Sequence, residues 1–475
     1  MNRFSLILLI AILCSPACDK NDPTRKRAEN DGITMGSESF SSDFLRLKTL
    51  SEVHNDLHVG CEALDRGYGD YDAYKAYLIP LGMRHIRLQA GWAKTEKEPG
   101  VYDFTWLDRI IDDAVSRGIK PWLQVSYGNP IYPGGGGAYS SGSWPTSGTA
   151  LNAWDAWVRT LAERYRDKVH EWEIWNEPDL LISRGKGTMG ELIDLSLRTA
   201  AILRETNPDA SIAALALAKL DTHFLDEFLS GVQAAGKLDL FDWISYHHYT
   251  YRPEDTYSNV EQARIVLSHY SNHLQLWHGE AGAPSSGGGD GALSDYAWSE
   301  TSQAKWGLRN ILSDKAHGVR TGIYTIAENN YATGHSTKGL LKTDDLNQVL
   351  RTKEAFDAMR NLVSVYDLLS TNLDASGIKI GTLESVRKLL FQDTRTELKS
   401  IVLWTDGTTP TDIVETTSVT VTVSGFVFDD PLCVDLRTGR LFPLENYVGN
   451  GMQTLYNVPL YDSPILITEA RLLMQ

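Results

Sequence analysis

From about residue 53 to residue 368, short β-branched or aromatic runs alternate with longer stretches whose apolar residues recur at helical spacing. The runs at 53–60, 84–90, 120–127, 169–175, 211–218, 241–249, 273–279 and 319–327 read as eight strands. Helices are predicted between them at 71–80, 106–117, 150–165, 189–205, 224–235, 260–270 and 300–317, and a last one at 353–368 closes the series. The second of these helices shows the pattern best, with Leu107, Ile110, Ile111, Ala114 and Val115 at core spacing. Gly118 and Gly318 follow predicted helices, where a left-handed C-cap favours glycine. Strands that alternate with helices pair in parallel, because each parallel neighbour needs a crossover. Eight such cycles in about 300 residues match the closed (β/α)8 TIM barrel, an α/β fold. A doubly wound open sheet would usually carry a Gly-rich dinucleotide loop after the first strand, and none is present.

Past about residue 370 the helical period stops. Short strand-like runs at 389–391, 401–404, 419–423, 432–436 and 465–468 are separated by Gly, Asp, Asn and Thr, the pattern of an all-β sandwich of about 100 residues. Residues 41–52 are placed to add a strand to it. The first residues read as an address. Arg3 precedes an apolar stretch at 4–14, too short for the roughly 20 residues of a spanning helix. Ser15-Pro16-Ala17-Cys18 resembles a lipoprotein processing site, with Cys18 as lipid acceptor. The expected organisation is a signal peptide at 1–17, a flexible polar tether at 18–40, a catalytic barrel at 41–369 and a β-sandwich at 370–475. Such a protein is exported and lipid-anchored to the outer membrane of a Gram-negative bacterium, at its surface or periplasmic face. Cys61 and Cys433 remain and are expected as buried free thiols.

Composition narrows the partners. Lys and Arg number 45 against 61 Asp and Glu, a formal charge of −16, which disfavours nucleic acid and leaves the lipid as the link to a membrane. Oligomeric state is not legible. With 13 Trp, 21 Tyr and 12 Phe, the chain can build flat walls with polar edges, as carbohydrate binders do.

In such a barrel the chemistry sits where strands end. The fourth strand runs out in Trp175-Asn176-Glu177-Pro178 and the seventh in His278-Gly279-Glu280-Ala281. Three cycles apart, these strands face each other across the barrel mouth, so the two carboxylates share one reaction volume. Glycosidic cleavage asks for such a pair. The segment Glu173-Ile174-Trp175-Asn176-Glu177-Pro178-Asp179, with the later Glu280, resembles clan A of the retaining glycoside hydrolases. Its wording is most similar to family 39, home of β-xylosidases and α-L-iduronidases. The resemblance implies that Glu177 is the general acid/base and Glu280 the nucleophile, without cofactor or metal. It further implies that Arg87 pairs with the nucleophile and lowers its pKa, and that Asn176 bonds the sugar 2-hydroxyl. His247 and Tyr249, which share a strand face, match the clan's His-X-Tyr, whose Tyr hydrogen-bonds the nucleophile. As the acid, Glu177 has to hold its proton near neutral pH.

Glu328, at the expected end of the eighth strand, is a candidate substrate contact. The loop 128–148 holds Gly134-Gly135-Gly136-Gly137 with Tyr132, Tyr139 and Trp144, and reads as a mobile aromatic wall for sugar rings; Trp92 and Trp298 are further stacking candidates. Glu171 and Glu173 read as strand or rim carboxylates, and His54 and His58 lack the ligand cluster a metal would need. The rival reading is a non-catalytic glycan-binding lipoprotein on a barrel scaffold. Two intact carboxylates count against it, since a pure binder loses nothing with either.

Overall fold

A computed structural model describes residues 43–139 and 142–473. The signal peptide, Cys18 and the tether lie outside the described residues. Eight parallel strands form the central sheet: β1 (His58–Gly60), β2 (His85–Gln89), β3 (Lys120–Val125), β4 (Glu171–Ile174), β5 (Ser211–Leu217), β6 (Trp243–His247), β7 (Gln275–Glu280) and β8 (Gly322–Ile323). Their order is β8-β1-β2-β3-β4-β5-β6-β7. A parallel bridge between Trp277 and Arg320 joins the two ends, so the sheet closes as the eight-cycle pattern requires.

The helices fall where the periodicity puts them. In Thr105–Ser116, Leu107, Ile110, Ile111 and Ala114 are buried against the sheet, whereas Val115 is 38% exposed and leaves the expected core stripe. The eighth strand is much shorter than the run at 319–327. Gly322 lies so close to β1 that a Cβ there would meet the His58 carbonyl oxygen at 1.9 Å, and beyond Ile323 the chain turns into two hairpins, Asn329–Tyr331 with Gly334–Ser336 and Leu341–Thr343 with Val349–Thr352.

The C-terminal strands are β9 (Thr371–Leu373), β10 (Ile378–Ile380), β11 (Val386–Gln392), β12 (Lys399–Thr405), β13 (Thr417–Ser424), β14 (Pro431–Asp435), β15 (Leu441–Pro443), β16 (Asn446–Gly449), β17 (Met452–Leu460) and β18 (Ile465–Glu469). They make a six-stranded sheet (β9-β11-β12-β18-β14-β15) and a four-stranded one (β10-β13-β17-β16). Period-two alternation assigns the faces. On β12, Val402 and Trp404 join the core shared with the barrel helices. Ile401 and Leu403 point the other way, into the core between the two sheets. Phe44 bridges to Arg440, so the segment ahead of the barrel does reach this region. Cys61 and Cys433 are free and buried. No helix among the described residues is long and apolar enough to cross a membrane.

Candidate active site

Loops at the C-terminal ends of the barrel strands enclose a cavity of about 810 Å³. Its fixed point is Arg87, on the inward face of β2 and fully buried. Nε donates to Glu173 Oε2 at 2.9 Å, and Nη1 donates to Glu62 Oε1 at 2.8 Å and Glu280 Oε2 at 3.0 Å. Nη2 donates to Asn176 Oδ1 at 3.0 Å. A planar guanidinium with five donors suits this fan of oxygens, and a lysine would not.

Beyond β4 the chain leaves extended geometry at once. Trp175 and Glu177 both have positive φ, 66° and 50°, a conformation side chains with a Cβ seldom adopt and functional sites often hold. The Glu177 N–H donates to the Ala216 carbonyl at 2.9 Å, and Pro178 opens the short helix Pro178–Ser183, where a missing N–H costs nothing. Glu177 therefore stands on a backbone anchored on both sides.

Glu280 ends β7. Its Oε1 accepts from the Tyr249 hydroxyl at 2.5 Å. His247 lies between the two glutamates, its Nδ1 paired with Glu177 Oε1 at 3.0 Å and its Nε2 3.6 Å from Glu280 Oε2. One carboxylate oxygen of Glu177 and one of Glu280 lie within 4.8 Å of each other. Asn176 accepts from Arg87 and, at 3.1 Å, from Gln124 on the same oxygen, which leaves its amide nitrogen for a ligand.

The electrostatics follow from these contacts. Burial alone would raise Glu280, but His247, Arg87 and the Tyr249 hydrogen bond together hold it below the ordinary carboxylate value. Burial raises Glu62 and the neighbouring Glu280 adds to the effect, while Arg87 opposes them without prevailing. Burial would lower His247, yet Glu280 and the bond to Glu177 raise it and favour the imidazolium.

Of the residues expected from sequence, the fold brings Glu177, Glu280, Asn176, Arg87, His247 and Tyr249 together. Two others it does not. Trp144 is fully buried, edge-on to Trp175 at 6.0 Å between ring centres, and packs behind the end of β4 away from the cavity. Glu328 accepts from Lys353 Nζ at 2.9 Å and pairs with His335 at 3.1 Å, a buried structural cluster formed because β8 ends five residues earlier. Among the stacking candidates only Tyr139 lines the cavity; Trp92 and Trp298 are buried, and Tyr132 bonds Glu96. The Gly run serves close backbone approach: a Cβ on Gly135 would sit 2.1 Å from the Asn129 carbonyl oxygen, and Gly128, Asn129, Gly135 and Gly137 all donate backbone hydrogen bonds within the loop. His58 is buried with Nε2 2.9 Å from the Gly279 carbonyl, whereas His54 is exposed, so the two share no ligand. Glu173 is a buried partner of Arg87, and Glu171 bonds Arg320 at 2.7 Å.

Sequence reasoning missed Glu62, Gln89, Gln124 and Lys338. Gln89 and Gln124 follow the inward face of β2 and β3, a period-two signal that was available in HIRLQ and KPWLQ. Lys338 is 3% exposed, lines the cavity and has its ammonium 5.5 Å from the centre of the Tyr249 ring. Burial pushes it down to about 8.

Residues 87–275 match the model of glycosyl hydrolases family 39. The chain is 27% identical over 209 residues to a β-xylosidase of Caldicellulosiruptor saccharolyticus, covering 38% of this chain and 40% of that one. To a β-xylosidase of Geobacillus stearothermophilus it is 24% identical over 159 residues, 31% of each chain. It spans well under half the length of these curated relatives. A family 39 glycoside hydrolase from Bacteroides cellulosilyticus WH2 superposes with a TM-score of 0.62 at 19% identity, over 88% of this chain and 82% of that one, and shares its fold.

Proposed function

We infer that the chain is a glycosidase most like family 39, the family it matches over the segment carrying Arg87, Glu177, His247 and Tyr249, and that it works by double displacement. The observation that supports this best is the carboxylate pair: oxygens of Glu177 and Glu280 within 4.8 Å fit the short separation of retaining enzymes, about 5–5.5 Å, and not the 6.5–9.5 Å that leaves room for an inverting water. Glu280, kept ionised by Arg87 and Tyr249, attacks the anomeric carbon. Glu177 protonates the departing oxygen, then takes a proton from the water that hydrolyses the glycosyl-enzyme. Asn176 offers its free amide nitrogen to the 2-hydroxyl of the sugar. The substrate is an oligosaccharide or polysaccharide, and the names of the relatives make a β-xyloside the first to try. The protein acts outside the cytoplasm, held to the outer membrane by a lipid on Cys18.

The test is turnover on a panel of aryl glycosides, with Glu280→Ala and Glu177→Ala as controls. Azide should rescue the first variant with inverted product and the second with retained product. Exchange of those two outcomes would reverse the assigned roles, and no turnover on any glycoside would favour the glycan-binding rival.

A further inference from the structure

Three carboxylates converge on Arg87, and the mechanism above uses one. Glu173 is fully buried and also accepts from Gln124 at 2.7 Å and Ser245 at 2.5 Å, which makes it the permanent anchor of the guanidinium. Glu280 is the nucleophile of the proposed reaction, the reading on which this inference rests. Glu62, just past β1 and 5% exposed, takes the same Arg87 Nη1 as Glu280. Arg87 and the His247 imidazolium together face three carboxylates, which leaves charge uncompensated, and carboxyls that share a donor at low dielectric settle with one proton between them. The donors decide where that proton sits. Glu280 has Tyr249, Arg87 and the nearby His247. Among the described residues, Glu62 accepts from the Arg87 nitrogen at Oε1, and its Oε2 is buried with no hydrogen-bond partner.

We propose that Glu62 holds a proton in the resting site and releases it when Glu280 is glycosylated, so that Arg87 Nη1 faces one negative charge throughout the cycle. When Glu280 attacks, its oxygen bonds the anomeric carbon, the leaving oxygen departs with the proton of Glu177, and Glu280 becomes a neutral ester. Glu62 then loses its proton to solvent and becomes the counter-ion. On hydrolysis the ester bond to Glu280 breaks, water supplies the new oxygen, its proton goes to Glu177, and Glu62 recovers a proton from solvent. The titratable groups that act on Glu62 are Arg87 from β2, Glu280 from β7, Cys61 beside it, Tyr74 from the helix Tyr71–Leu81, and Tyr324 and Tyr331 past β8. Burial raises all three tyrosines and the thiol and so keeps them neutral. Of these groups Arg87 and Glu280 carry charge near neutral pH, the His247 imidazolium lies beyond Glu280, and glycosylation removes the charge of Glu280. Glu62 is thus a positioning residue, acting on the sugar through Arg87 and Glu280.

Two measurements test it. Infrared difference spectra of the free, full-length protein just below neutral pH should show a protonated-carboxyl band that Glu62→Gln removes. Should that variant fail to fold, Glu177→Ala, which lacks the protonated acid/base, should still show the band and lose it as pH rises past neutrality; with neither change Glu62 is an anion at rest and the proposal is wrong. In a Glu177→Ala background, an aryl glycoside whose phenol leaves as an anion should trap the glycosyl-enzyme, seen as added protein mass. Trapping should release up to one proton per enzyme into a weakly buffered indicator solution, and Glu62→Gln in the same background should abolish that release. Trapping with equal proton release in both proteins refutes the switch alone. Failure of every aryl glycoside to trap refutes the glycosidase reading, and the switch with it.

Discussion

Replacing Tyr249 with phenylalanine removes one hydrogen bond and little else. The hydroxyl donates to Glu280 Oε1 at 2.5 Å, and the ring is held independently by packing against the barrel core. A hydrogen bond to a charged group is worth about 1.5–3 kcal/mol, so Tyr249→Phe should remove about that much stabilisation of the carboxylate and let Glu280 rise. The direction is set by which form the bond favours. Glu280 lies below its ordinary value because Tyr249, with His247 and Arg87, stabilises the carboxylate, and removing the donor lets burial push it back up. The acid limb of kcat/KM reports the ionised nucleophile of the free enzyme. It should therefore move to higher pH, with the steepest loss of activity in mildly acid solution. The assay is a full pH–rate profile on an aryl glycoside, wild type against variant, with thermal unfolding to confirm that the fold is intact. An acid limb that stays in place, or moves to lower pH, would refute the argument that Tyr249 holds Glu280 ionised.

Other consequences are as direct. Glu328→Gln leaves the Lys353 ammonium buried without its counter-ion, which should cost about 3–5 kcal/mol of stability in denaturant titration while KM stays at the wild-type value, because Glu328 does not line the cavity. Gly135→Ala drives a Cβ against the Asn129 carbonyl oxygen and should lower stability by about 1–3 kcal/mol through overpacking; a wild-type melting temperature would contradict the close-approach account of the Gly run. Cys18→Ala should move the protein from the membrane fraction to the soluble one, and a wild type found only in soluble periplasm would sink the anchor.

The barrel was legible because its segments obey single periods. The helix Thr105–Ser116 shows its buried face as Leu107, Ile110, Ile111 and Ala114, and β12 alternates between two cores. Where two periods or long-range contacts compete, legibility fails. The run at 319–327 is apolar enough for a long strand, but the ladder ends at Ile323 because the chain folds back on hairpins, and this displaces Glu328 from the rim. The strand Met452–Leu460 went unseen because MQTLYNVPL mixes polar residues and a proline into an irregular register. Trp144 lies in a loop that reads as exposed, yet its ring fills space behind β4 that no local pattern specifies. Glu177 and Glu280 could be found because strand ends are where a barrel keeps its chemistry. Glu62 could not, since its partners Arg87 and Glu280 meet it only in the closed sheet.

The central claim is that Glu280 and Glu177 act by double displacement, and the configuration of the product tests it most directly. Proton NMR of a hydrolysis followed from its first minutes distinguishes the anomer released before mutarotation mixes the two. Two successive inversions at the anomeric carbon return the configuration of the substrate, so the first-formed sugar should be the retained anomer. A first-formed product of inverted configuration would contradict the mechanism, whatever the distance between the two glutamates.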